Sequence, residues 1–111
     1  MAIRLTKPWL ALTEGAVRAL PGQLGVFELA DAEGRVVFIG YAGGRSLFGL
    51  RSEIDRARSQ HGGGATQFRY EITTQYLSRY DELLMLHVAD HGALPAGNSD
   101  EHRTIGRLSP L

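Results

Sequence analysis

The sequence predicts a mixed α/β domain of the α+β kind, with a small three-stranded antiparallel sheet covered by helices. Two strand-like runs, Gly25-Val-Phe-Glu-Leu-Ala30 and Arg35-Val-Val-Phe-Ile-Gly40, stand at hairpin spacing around an Asp31-Ala-Glu-Gly34 turn. Two longer stretches carry apolar residues at helical spacing, and a third strand pattern separates them. The order strand, strand, helix, strand, helix has apolar faces that a single shared core satisfies.

Taken along the chain, residues 1–21 form a lead-in, because Thr13 is an N-cap for a short helix that must stop before Pro21-Gly22. Residues 22–98 form the domain. After the hairpin, Gly43-Gly44 breaks the strand, and Ser46 is the expected N-cap of a helix from Leu47 to about Gln60. Leu47, Leu50, Ile54 and Ala57 make up its apolar stripe. His61-Gly-Gly-Gly64 ends that helix in a loop. Thr66 to Thr73 then alternates apolar with polar residues as a half-buried strand should. A second helix is expected from about Ser78 to His91, with Tyr80, Leu84 and Val88 on its stripe and Gly92 as its stop. Residues 99–111 are read as a polar C-terminal tail.

The 111 residues are 43% hydrophobic, enough for one modest core and too few for two domains. Without cysteine there is no disulfide framework or thiolate metal site. No apolar run reaches signal-peptide or membrane-spanning length, so a soluble cytoplasmic protein is expected, with no membrane partner. The 12 basic and 12 acidic residues cancel, which argues against a protein held on nucleic acid by bulk charge alone. Their distribution is uneven. Arg45, Arg51, Arg56, Arg58 and Arg69 outweigh Glu53 and Asp55, whereas Asp81 to Glu101 contains acids and no lysine or arginine.

Several patterns have plain readings. His87 and His91 stand at a zinc-ligand spacing but lack the glutamate of the zinc-protease motif, and are read as ordinary histidines. The Tyr41-Ala-Gly-Gly-Arg-Ser46 loop precedes a helix yet matches neither the P-loop nor the dinucleotide pattern, and is read as a structural turn.

Gly25-Val26-Phe27 and, after ten intervening residues, Phe38-Ile39-Gly40 resemble the paired tripeptides of the GIY-YIG nuclease superfamily. Ser46-Leu47 leading to Arg51 resembles the start of that family's arginine-bearing helix. Glu82, then Leu94-Pro95 with Asn98, resembles its helical glutamate and the turn that follows. The resemblance covers roughly residues 22–98 and implies the three-stranded sheet described above. It also implies phosphodiester hydrolysis with one divalent cation, Mg²⁺ or Mn²⁺. Glu82 would be the metal ligand, Arg51 the phosphate clamp and Asn98 a supporting polar group, with Gly25, Phe27, Phe38 and Gly40 at the signature positions.

Both signature tyrosines are phenylalanine here, Phe27 and Phe38. A phenol can give or take a proton and a phenyl ring cannot, so packing survives while general-base chemistry is lost. Tyr41, next to Phe38-Ile39-Gly40, is the candidate substitute base. The resemblance thus implies a catalytically degenerate relative that grips DNA or another nucleic acid through Arg45, Arg51 and Arg56. One rival is an active metal-dependent endonuclease using Arg51 and Glu82, with Tyr41 or bound water as base. Another is a small module that binds a protein through its sheet or its acidic region.

Overall fold

The computed structural model describes residues 3–61 and 64–98. In chain order these form β1 (Leu10–Ala11), α1 (Glu14–Arg18), β2 (Gly25–Ala30), β3 (Val36–Ala42), α2 (Leu50–His61), β4 (Gln67–Ile72), α3 (Tyr76–His91) and a 3-10 turn at Ala96–Asn98. The expected tail lies outside the described residues.

The sheet is antiparallel with order β1-β4-β2-β3. It therefore has four strands where three were expected. The addition, β1, is a two-residue edge strand paired with β4 at Leu10↔Phe68 and Ala11↔Gln67, too short to leave a pattern in the sequence. β2 is central and buried along its whole length. Its hairpin with β3 sets Phe27 opposite Gly40 and Leu29 opposite Phe38. The turn forms because Asp31 Oδ1 accepts from the Glu33 and Arg35 amides at 3.0 and 2.9 Å, while Gly34 takes the left-handed φ of 82°.

α1 forms where expected, with Thr13 Oγ1 accepting from Ala16 N at 3.1 Å. α2 differs from expectation. It starts at Leu50, and Leu47 is 82% exposed, off the predicted stripe. The reason is local. Ser46 turns its hydroxyl to the Gly43 amide and to Glu53, Gly49 adopts φ 57°, and Leu50 N donates to Gln23 O at 2.8 Å. α3 begins two residues before the expected Ser78 and ends, as expected, at a left-handed Gly92. Its buried face is Tyr80, Leu83 and Leu84, and Val88 is exposed.

The two sides of the sheet carry separate cores. Phe27, Leu29, Phe38 and Phe68 pack beneath α1 and α2 with Val17, Leu50 and Ile54. Burial of side chains like Phe27 and Phe68 stabilises by roughly 1.5–3 kcal/mol each. On the opposite side Val26 and Ile39 pack with Tyr80, Leu83 and Leu84 of α3 and with Leu5. The segment around Leu5 is held by arginines: Arg4 pairs with Asp90, Arg79 donates to Ile3 O, and the Arg69 guanidinium lies 4.0 Å from the Trp9 ring centroid. Arg69 also meets Glu28, its register partner, in a part-buried 2.8 Å ion pair. Burial pushes the Glu28 carboxyl above its ordinary range, with Arg69 pulling the other way.

β3 has a free edge, and Asn98 serves there as a substitute strand partner. Its buried amide accepts from Ile39 N at 2.7 Å and donates to Ile39 O at 2.8 Å. Among the described residues no helix is long and apolar enough to cross a membrane.

Two predictions follow from these bonds. Asn98→Ala leaves both Ile39 backbone groups unmet and should cost about 2–4 kcal/mol by urea denaturation. The second concerns acid. Asp31 is held below the usual aspartate range, first by the Arg35 amide, and Asp90 by the Arg4 guanidinium. Their stabilisation is present above the unfolded aspartate pKa and is lost as pH falls through the lower folded one. Urea midpoints should therefore drop in the acid range, and less steeply in Asp31→Asn and Asp90→Asn. A burial-raised carboxyl such as Glu28 contributes with the opposite sign.

Candidate functional site

β3 also borders a groove of about 690 Å³ that reaches across the free edge of the sheet. Strand alternation explains its composition. Phe38 and Gly40 point to the α2 side and Tyr41 to the α3 side, so one edge shows both faces to the same space. The Phe27 and Phe38 rings, 5.9 Å apart, form an apolar floor with Ala57. Gly40 makes room for them: a Cβ there would come within 2.8 Å of the Phe38 ring and closer still to Phe27. His61 stacks on Phe38 at 4.5 Å.

Tyr41 and Tyr76 form one wall, their rings 5.9 Å apart and within 15° of parallel. Tyr80 touches Tyr41 from behind at 4.9 Å. The loop between β3 and α2 supplies the rim. Ser46 Oγ accepts from Gly43 N at 3.2 Å and donates to Glu53 at 2.9 Å, and Tyr76 accepts from Gly44 N at 3.3 Å. Glu53 in turn holds Arg56. Arg45 is exposed on the same rim and, among the described residues, has no carboxylate partner.

The expected site residues divide into two groups. Phe27, Phe38, Gly40, Tyr41, Arg45 and Arg56 all line the groove. Gly25, at the start of β2, is pressed against the backbone of Glu71 and Ile72, where a side chain would not fit. Arg51, Glu82 and Asn98 lie elsewhere. Arg51 sits over the Phe48 ring, its Cζ 5.1 Å from the centroid. Glu82 projects from α3, on the other side of the sheet from α2, and is tied to Arg79, which also holds Glu71 at 3.0 Å. Asn98 is spent on Ile39. The arginine and glutamate proposed as a catalytic pair therefore belong to helices packed on opposite faces.

Glu82, the expected metal ligand, is bonded to the Arg79 guanidinium, and among the described residues no three histidine, aspartate or glutamate side chains are grouped as metal ligands. The expected basic patch is also smaller than its sequence, because Arg56, Arg58 and Arg69 are paired with Glu53, Asp55 and Glu28. Glu53 and Tyr76 also line the groove, although neither was expected as a site residue. Glu53 had a signal of sorts in its position three residues before Arg56 on a helix. Tyr76 had only its aromatic ring as a signal, since its place depends on how α3 docks against the loop.

A family model matches residues 3–90, and that family, DUF7508, is described as a domain of unknown function. The chain belongs to the DUF7508 family. No curated protein matches it. The groove residues of this DUF7508 domain all fall inside the matched span, whereas Asn98 and its clamp on β3 lie beyond it.

The close approach at Gly40 is testable in the DUF7508 domain. Gly40→Ala must displace two phenylalanine rings and should destabilise by about 1–3 kcal/mol in urea. Gly15→Ala, in α1 with open space around it, should instead stabilise by about 0.4–1 kcal/mol.

Proposed function

We propose that this chain is a GIY-YIG-like domain that has lost its signature phenols and binds nucleic acid in the β3 groove without cleaving it. The observation that carries the reading is the position of Arg45. Among the described arginines, Arg4, Arg18, Arg35, Arg56, Arg58, Arg69 and Arg79 are each paired with a carboxylate, and Arg51 lies on Phe48. Arg45 is the guanidinium left open, and it stands at the mouth of a groove floored by the two tripeptide phenylalanines. A guanidinium offers forked donors that match phosphate. Arg56, whose side chain is exposed, can join it by exchanging Glu53 for a phosphate oxygen while Glu53 keeps its bond from Ser46.

The same residues support the absence of cleavage. Phe27 and Phe38 cannot move a proton, and Glu82 is neutralised by Arg79 at a distance from the groove floor. A neutral chain with two groove arginines should bind modestly and with a shallow salt response.

The test is a salt series of fluorescence anisotropy on labelled DNA. Log affinity should fall against log salt with a slope near −2, and Arg45→Ala should weaken binding and reduce the slope by about 1. Arg18→Ala, whose guanidinium is occupied by Glu14 on α1, should change nothing. Supercoiled plasmid incubated with the protein and Mn²⁺ should stay intact. Nicking that disappears in Glu82→Ala would establish the endonuclease rival, and no binding even at low salt would favour a protein-binding module.

A further inference from the structure

We infer that the groove recognises a nucleoside phosphate whose base is unpaired, either a free nucleotide or one unit of a single strand, in preference to a duplex. This rests on the nucleic-acid reading above and narrows it. The groove combines two chemistries within one compartment. Tyr41 and Tyr76 offer near-parallel rings, and Tyr41 keeps 37% exposure although it already touches Tyr76 and Tyr80. Beside them the rim carries Arg45 and Arg56.

Glycines seat the Tyr76 ring against the loop: a Cβ at Gly43 would come within 2.8 Å of that ring, and the Gly44 amide donates to the Tyr76 hydroxyl. A wall of aromatic faces next to a guanidinium suits a ligand that is flat and apolar at one end and anionic at the other. A base within a duplex has both faces stacked on its neighbours and shows only its edges in the grooves, so the tyrosines would have nothing to stack on. An unpaired base offers its face, and its phosphate reaches the rim. The volume, about 690 Å³, is that of a pocket for one small ligand.

The experiment uses the full chain at low salt, with a labelled eight-nucleotide single strand, its duplex, the same strand carrying abasic sites, and adenosine monophosphate as competitor. The intact strand should bind at least about tenfold more tightly than the duplex or the abasic strand, because stacking on an aromatic side chain is typically a five- to hundredfold effect per base. Tyr41→Leu should lower affinity for the intact strand by a similar factor and leave duplex binding unchanged. Arg45→Ala should weaken both. Competition by the mononucleotide at concentrations near its own Kd identifies a free-nucleotide pocket, and its failure beside tight strand binding identifies a single-strand site. Equal affinity for intact and abasic strands, or tighter binding of the duplex, overturns the inference while leaving the nucleic-acid reading in place. No binding of any probe overturns both. The abasic comparison uses unaltered protein, so it stands even if Tyr41→Leu folds poorly.

Discussion

The rest of the structure depends on the close pairing of β2 with β3 across Phe27 and Gly40. β2 is buried along its length and bonded on both sides, so β3 is located relative to every other element through this one register. A one-residue slip would exchange the faces of β3. Phe38 would then move to the α3 side and Tyr41 to the α2 side, dissolving both cores and the groove. Gly40 allows the register to close, because its missing side chain is the space that two rings occupy. One position therefore serves packing and site together.

The charge arrangement explains how a neutral protein can present a cationic groove. Most arginines are consumed in holding the fold together: Arg4 and Arg79 secure the N-terminal segment, and Arg69 neutralises a glutamate buried inside the sheet. Removing one partner of that last pair would strand the other charge in a dry place, which costs far more than the pair itself contributes. Net charge counts these residues equally with Arg45, although only an unpaired cation is available to a ligand. The acidic stretch behaves similarly, since Glu82 and Asp90 are occupied by Arg79 and Arg4.

Much of the fold was legible because it rests on local chemistry. The Asp31 turn, the Thr13 cap and the Gly92 stop are each written within a few residues, and the structure contains them. The start of α2 was not legible, because Leu50 is placed by a bond to Gln23 and a left-handed Gly49 that no periodicity announces. The site was half legible for a related reason. Phe27, Phe38, Gly40 and Tyr41 lie on one hairpin, where alternation fixes their faces, whereas the relation of Arg51 to Glu82 depends on which side of the sheet each helix covers. That choice is tertiary, and α2 and α3 take opposite sides.

Phenylalanine at positions 27 and 38 fits the proposal of a binding groove better than that of a catalytic one. Phe27 is 2% exposed and Phe38 8% exposed, with His61 stacked on the latter. A hydroxyl carried that deep needs a partner, because an unmet buried polar group costs about 1–3 kcal/mol. Catalysis would repay that cost through proton transfer, and binding alone would not. As phenyl rings, the two contribute packing without a polar demand, and the polar groups Tyr41, Tyr76 and Arg45 lie farther out in the groove. Chemistry needs its reactive groups at the floor, where water is excluded. The proposed recognition by stacking and by phosphate contact needs them at the mouth, where Tyr41, Tyr76 and Arg45 stand.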